Sequence, residues 1–443
     1  MKFRIAACAA VLLLLLTGCS GLSLNGPDIL TPPRAEGDQA DIQQLIRNSA
    51  GNSYEMVYPE NGEYKSSVIF KDLNGDGEDE GVAMYTSDKE SVKILIAEKD
   101  GDNYRILSEG AVQSPRLDRV EIADFNGDGL SQVIISYNGS AAMLKSLAIL
   151  SCDGETAQKD YINACADHLI GDFTGDGVAD LMTLALADGE NLPTARIFVS
   201  DGGELTEYAS CEIASDTKEY VSLSYGKVSD EMLGAVVDAR DYNGAYSTQI
   251  ICFDNNAQEL VNPLYVSSNY NTTKRTAAIL STDIDRDGVI EIPLCDEMDY
   301  SAAEDPLSVC DRIDWCSYNY TQLSLVKKQS AILCDRLGFI LNLSPEHADI
   351  VTARYTGENS MSVYLWEYKG STPERTTKLS TIKRYPKSDF DEERILEAIA
   401  GRSDAYVYTY VIDTADGYFG YTDDEITDNF VILENPSAEQ PAE

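Results

Sequence analysis

Histidine and tryptophan are scarce in this chain of 443 residues, two of each. Two isolated histidines, His168 and His347, exclude a zinc centre of paired-ligand spacing. They also leave no Cys/His pair at a spacing suited to nucleophilic catalysis. There is no G-x-S-x-G, no H-E-x-x-H, no phosphate loop and no C-x-x-C. Basic residues are few: 34 Lys and Arg stand against 75 Asp and Glu, a formal net charge of −41. A field of that sign repels nucleic acid and anionic membrane surfaces. The apolar run that ends in Leu12 to Leu16 is too short for a good membrane span.

What the chain has instead is a nine-residue loop written four times. It reads D-L-N-G-D-G-E-D-E from Asp72, D-F-N-G-D-G-L-S-Q from Asp124, D-F-T-G-D-G-V-A-D from Asp172 and D-I-D-R-D-G-V-I-E from Asp283. Oxygen-bearing side chains recur at positions 1, 3, 5 and 9, and glycine at position 6. That spacing suits Ca²⁺, a hard cation that takes six to eight oxygens, with glycine permitting the sharp turn. The candidate ligand sets are Asp72, Asn74, Asp76, Glu78 and Glu80; Asp124, Asn126, Asp128, Leu130 and Gln132; Asp172, Thr174, Asp176, Val178 and Asp180; and Asp283, Asp285, Asp287, Val289 and Glu291. An EF-hand needs a bidentate Glu at position 12; these loops carry Ala83, Ile135, Thr183 and Leu294 there. The flanks alternate with period 2: Phe70, Ile122, Ile170 and Ser281 lie two before each Asp, and Val68, Val120, His168 and Ile279 four before. Each loop therefore joins two antiparallel strands. His168 is on this reading a strand residue in the interior. His347 lies in a turn with no evident partner.

The loops begin 52, 48 and 111 residues apart, and the last interval is about two repeats. A decayed copy is expected near Lys227, with strands kept, ligands lost and the lysine ammonium able to take the cation's place. Two further β-rich runs follow each loop, as at Val92–Ile96 and Tyr104–Leu107. Four short strands per repeat of about fifty residues describe a propeller blade. On these loops the chain resembles the FG-GAP/VCBS-repeat proteins, the integrin-α-like calcium-loop β-propellers, over about residues 64–330. The resemblance implies a mainly β fold: a β-propeller of about five four-stranded blades with FG-GAP-type calcium loops. Gln132 at position 9 and the decayed fourth copy depart from the pattern.

Lys2 and Arg4 precede the N-terminal apolar run, which reads as a signal peptide over 1–18. Leu16-Thr17-Gly18-Cys19 resembles a bacterial lipobox, as in clostridial lipoproteins. It implies cleavage before Cys19, a diacylglycerol on its sulfur and a membrane contact through that lipid alone. The chain is then expected on the cell membrane facing outward, or in the periplasm or outer membrane of a Gram-negative envelope. Residues 19–40 read as a flexible tether, 41–331 as the propeller, 332–434 as a smaller C-terminal α+β domain and 435–443 as a disordered tail. The α+β reading rests on a helix expected over Asp389–Ala400, capped by Asp389 and striped by Ile395, Leu396 and Ile399. The alternative is a continuous propeller of six or seven blades, with residues 337–384 as the sixth. Eight cysteines beyond Cys19 fit either disulfides or small buried strand residues.

These signs favour a calcium-binding surface lipoprotein that binds a protein or glycan outside the cell. An extracellular polysaccharide hydrolase or lyase, with its site among the many acids, is the alternative; a structural envelope protein is a third. Cys19→Ser is expected to leave the precursor uncleaved and unlipidated. Metabolic palmitate labelling of that variant at the wild-type level would contradict the lipid anchor.

Overall fold

The computed structural model describes residues 37–433, apart from 102, 139–143, 153–158, 202, 266–270, 299–309, 370–371 and 415–420. The signal peptide, Cys19, nearly all of the tether and the C-terminal tail lie outside the described residues. The chain is mainly β, and its described residues form six antiparallel sheets taken in chain order. Sheet one holds Glu55–Met56, Val68–Lys71, Glu80–Thr86, Val92–Asp100 and Asn103–Val112. Sheet two holds Arg119–Ala123, Gln132–Asn138, Lys145–Leu150 and Lys159–Cys165, and sheet three Asp167–Gly171, Asp180–Ala185, Thr194–Asp201 and Glu204–Glu212. Sheet four runs Thr217–Ser229, Met232–Asp241, Tyr246–Asp254 and Glu259–Val261. Sheet five runs Ile292–Glu297, Asp311–Asn319, Ser324–Cys334 and Phe339–Asn342, and gains Phe430–Ile432 at its edge. Sheet six is Val351–Gly357, Ser360–Lys369, Thr372–Pro386, Tyr406–Ile412 and Ala398–Arg402.

Consecutive sheets pack face to face. Neighbouring residues of one strand serve opposite sides: Ile135 joins the core shared with sheet one, Ile134 the core shared with sheet three. This is why Val133–Ile135 is apolar without alternation. Met182 and Leu184 meet Val237 and Ile251 between sheets three and four; Val236 and Ile250 meet Ile292 and Tyr318 between four and five. Helix α1, Asp38–Ala50, sets Ile42 and Ile46 on the outer face of sheet one, against Ala83, Tyr85 and Leu95. Gly81 makes room for it, since a Cβ there would lie 2.7 Å from Ile42 Cδ1. In a closed ring this face would belong to the last sheet. Among the described residues no helix is long and apolar enough to cross a membrane.

The expected domain boundary at 331/332 falls inside the strand Ser324–Cys334. Ile332 and Cys334 share one buried cluster with Val351, Met361 and Tyr408 of sheet six. Among the described residues of 332–434 there are an antiparallel sheet and a short helix, α2, Asp423–Thr427. The helix expected over Asp389–Ala400 is absent: turns lead into the strand Ala398–Arg402, paired with Tyr406–Ile412. Leu396, counted in the apolar stripe, is 90% exposed. Strand pairing outweighs the helical pattern where the stripe has no surface to bury against.

No disulfide joins the described cysteines, and six of the eight are buried. Cys310 and Cys334 place their sulfurs 3.6 Å apart.

Residues 262–265 and 271–282 carry little regular structure, and the latter are held by a side-chain hub instead. The Arg275 guanidinium donates to Asp238 Oδ1 at 2.8 Å, Thr248 Oγ1 at 3.0 Å and the Ile279 carbonyl at 2.8 Å. Asp238 also accepts from the Ser281 amide at 2.7 Å and Thr248 Oγ1 at 2.5 Å. Both charges are shielded from solvent, and removing one partner of such a pair costs about 3–5 kcal/mol. Arg275→Met is expected to lower the unfolding free energy measured in urea by that order. An unfolding free energy within about 0.5 kcal/mol of the parent chain would refute the hub.

Candidate metal centre

The four loops close on similar bases. The residue before position 1 faces position 9, Lys71 and Glu80, Ala123 and Gln132, and Gly171 and Asp180 across an antiparallel ladder, Thr282 and Glu291 across an isolated antiparallel bridge. The expectation that each loop joins two antiparallel strands holds for the first three; residues 271–282 ahead of the Asp283 loop form no strand, and that loop leads into Ile292–Glu297. The position-1 aspartate gathers the turn. Asp72 accepts from the Gly75 and Gly77 amides at 2.7 and 3.0 Å, and Asp124 and Asp172 repeat this on Gly127 and Gly129 and on Gly175 and Gly177. Asp283 accepts from Gly288 at 3.0 Å. The position-5 aspartates Asp76, Asp128, Asp176 and Asp287 accept from the position-7 amides at 2.8–2.9 Å. Positions 4 and 6 both take a left-handed backbone, which favours glycine; Arg286, at φ 63°, is the exception at position 4.

Position 9 does something the spacing alone did not reveal. Its side chain turns inward and accepts from the position-2 amide: Leu73 to Glu80 at 2.9 Å, Phe125 to Gln132 at 2.8 Å, Phe173 to Asp180 at 2.9 Å and Ile284 to Glu291 at 3.1 Å. All four are buried. Gln132 can replace a carboxylate because an amide oxygen accepts equally well. Its nitrogen then donates to the Leu130 carbonyl at 2.7 Å and occupies one expected ligand. Ser200 Oγ lies 2.6 Å from Asn126 Oδ1 in the same loop.

The loops differ in how many oxygens stay available. Both Glu80 oxygens are engaged, by the Leu73 amide and the Asn74 side chain. In the last loop Glu291 Oε1 and Asp283 Oδ1 are buried with no hydrogen-bond partner. Asp283, Asp285 and Asp287 each bring a carboxylate oxygen within 4.8 Å of the other two. Oxygens 2.3–2.6 Å from one cation can lie that far apart. Orphaned, desolvated carboxylates are a donor set that fits a hard divalent ion. Burial, then the nearby Asp285, Asp287 and Asp283, pushes Glu291 up to about 6. Burial likewise raises Glu80 and Asp180 above the usual range.

The loops share one end of the sheet stack. The Ser131 amide donates to the Leu73 carbonyl at 2.7 Å, joining the first two. A Cβ on Gly127 would lie 2.9 Å from Val178 of the third. Tyr225 Oη of sheet four donates to the Asp172 carbonyl at 2.8 Å, and the Ile290 amide to the Lys227 carbonyl at 3.0 Å. Where the decayed copy was expected, Thr217–Ser229 and Met232–Asp241 turn directly through Asp230 and Glu231. No loop is left there for Lys227, a strand residue, to enter.

His168 is a strand residue, wholly buried, with Nε2 2.5 Å from Glu121 Oε2 and Nδ1 3.2 Å from Arg119. Arg119 also pairs with Asp167, and Lys145 lies 3.0 Å from Asp118 and 3.1 Å from Asp167. This network ties sheet two to sheet three. His347, expected to lack a partner, stacks on Tyr421 at 4.5 Å and meets Ser344 Oγ at 2.8 Å.

A carboxyl whose folded pKa lies above its unfolded value holds its proton more tightly when folded. Folding then loses stability as pH rises from the unfolded value through the folded one, and the loss persists above it. In chelator, Glu291→Gln is expected to raise the melting temperature at pH 7.5 and leave it nearly unchanged at pH 4. Melts that shift equally at both pH values would contradict the assignment.

No family model matches the chain, and no curated protein matches it. Solved structures similar to it include the rhamnogalacturonan lyase PL11 of Bacillus licheniformis, at 12% identity and TM-score 0.30, over 70% of this chain and 78% of that one. An exo-β-1,3-galactanase of Phanerochaete chrysosporium shares 9% identity at TM-score 0.30, over 75% and 79%. Sqt1 of Saccharomyces cerevisiae shares 13% at TM-score 0.29, over 69% and 83%.

Proposed function

We propose that this chain is a lipid-anchored, calcium-stabilised scaffold of blade-like sheets that binds a protein or glycan outside the cell. The observation that carries the reading is the loop geometry repeated at one end of the stack, with orphaned carboxylate oxygens in the Asp283 loop. Asp283, Asp285, Asp287 and Glu291 would hold the ion there, with the Val289 carbonyl. The anchor and outward location follow from the lipobox at Cys19. The propeller arrangement belongs to the same proposal, with the six sheets as its blades. His168, against Glu121, and His347, 3.6 Å from Glu425, are both buried.

More carboxylates raise Ca²⁺ affinity at similar geometry. The Asp283 loop offers four at positions 1, 3, 5 and 9, the Asp124 loop two. At about 1 mM calcium, sites with Kd near 10⁻⁴–10⁻³ M each stabilise the fold by roughly 0.4–1.4 kcal/mol. Chelation is expected to lower the melting temperature by several degrees, and Asp287→Ala to weaken calcium uptake more than Asp128→Ala. An unchanged melt, with no calcium in the purified protein, would refute the metal reading. A glycan array and a pull-down test the binding role, and silence in both would count against it.

A further inference from the structure

We propose that the cavity beside the Asp283 loop is a calcium-dependent site for a carboxylated sugar. The inference rests on the calcium reading above and names the ligand class of that end of the molecule. The cavity measures about 450 Å³, within the range of small-ligand sites. Asp285 of the loop forms one wall. Lys327, Lys328 and Ser330 of the strand Ser324–Cys334 form another, and Leu343 and Pro345 of the connector to sheet six a third.

Adjacent strand residues ordinarily face opposite sides. Lys327 and Lys328 line one cavity because the ladder slips between them. Trp315 faces Gln329 and Cys316 faces Lys327, so Lys328 is the extra residue of a bulge. A bulge re-aims a side chain. The same slip occurs in sheets one and three, where the extra residues are Leu107 and Tyr208. In sheet five the position holds a cation.

The two ammonium groups rest on acids. Lys327 Nζ lies 3.2 Å from Asp349, and Lys328 Nζ 3.7 Å from Asp287 Oδ2. Asp287 belongs to the carboxylate cluster, and the buried Oε1 of Glu291 beside that cluster has no partner. A cation collected by these oxygens draws Asp287 away from Lys328 and releases its ammonium toward the cavity. A ligand carboxylate placed there meets a divalent ion on one side and a lysine on the other, both strong partners for its charge. Pro345, exposed at the rim, supplies apolar surface for the C–H face of a sugar ring, with the buried Leu343 beneath it. The concave shape suits a ring better than the flat surface of a protein partner. Among the lining residues Lys327 and Lys328 balance Asp285 and Asp349, so in a chain of net charge −41 it is the bound ion that turns the site toward an anion.

The test is calorimetric titration of the full-length chain with a galacturonate trisaccharide and its neutral galactose counterpart, with calcium and with chelator. Calcium uptake is measured separately by equilibrium dialysis. The expected result is saturable binding of the acidic sugar alone, in calcium alone. The Lys327→Gln/Lys328→Gln variant is expected to bind it about tenfold or more weakly while taking up calcium at least as tightly, since Lys328 no longer competes for Asp287. Binding of neither sugar, of both alike, or of an acidic peptide instead would overturn the proposal, as would indifference to the lysine changes. Absence of calcium uptake sinks the calcium reading, and uptake without acidic-sugar binding sinks this inference alone.

Discussion

One hydrogen bond, from the position-2 amide to the inward side chain at position 9, fixes each loop to the sheet beneath it. It crosses the base of the loop where the closing strand pair ends. Without it the glycine-rich turn would hang from two chain ends, and its acids would have no fixed spacing. A buried amide left unpaired costs about 1–3 kcal/mol, so the acceptor is structurally required whether or not a cation is present. That explains why position 9 tolerates Gln132 but still keeps an oxygen. It also explains the strain at Glu291, where the same burial that secures the backbone leaves a second carboxylate oxygen stranded.

The sheets follow from these anchors. The first three loops each connect a hairpin of their sheet, and the Asp283 loop leads into the first strand of sheet five. Because both faces of the inner sheets are covered, their strands read as continuous apolar runs. At the start of the series α1 takes the place of a neighbour, using the small Gly81 to come close. Where strands give out, before the Asp283 loop, Arg275 and Asp238 hold the connection with side chains instead of ladder bonds.

Much of this was legible in the residues. Period-2 flanks at Val68 and Phe70, or at Val120 and Ile122, pointed to strands, and three loops at near-equal spacing with a fourth about two repeats on pointed to a repeated sheet. The inward turn of position 9 was not legible, because a carboxylate aimed at a metal and one aimed at an amide have the same spacing. The pattern at Ile395, Leu396 and Ile399 misled, since periodicity reports an apolar face but not whether a surface exists to receive it. The partner of His347 lies on Tyr421, 74 residues on, where no local pattern could place it. The bulge at Lys328 was equally hidden, being a property of two paired strands rather than of either one.

Sheet four has a two-residue turn where its neighbours carry an acidic loop. The row of loops is therefore interrupted after the third. Packed sheets stand about 10 Å apart, so skipping one puts roughly 20 Å between the Asp172 and Asp283 loops. Physiological salt screens charges over about 8 Å. The first three loops instead touch in turn, a Cβ on Gly75 lying 3.7 Å from the Gly129 carbonyl and one on Gly127 2.9 Å from Val178, so charge placed on one is felt by the next. The Asp283 loop stands electrically apart, insulated by a sheet whose contribution is the loop it lacks.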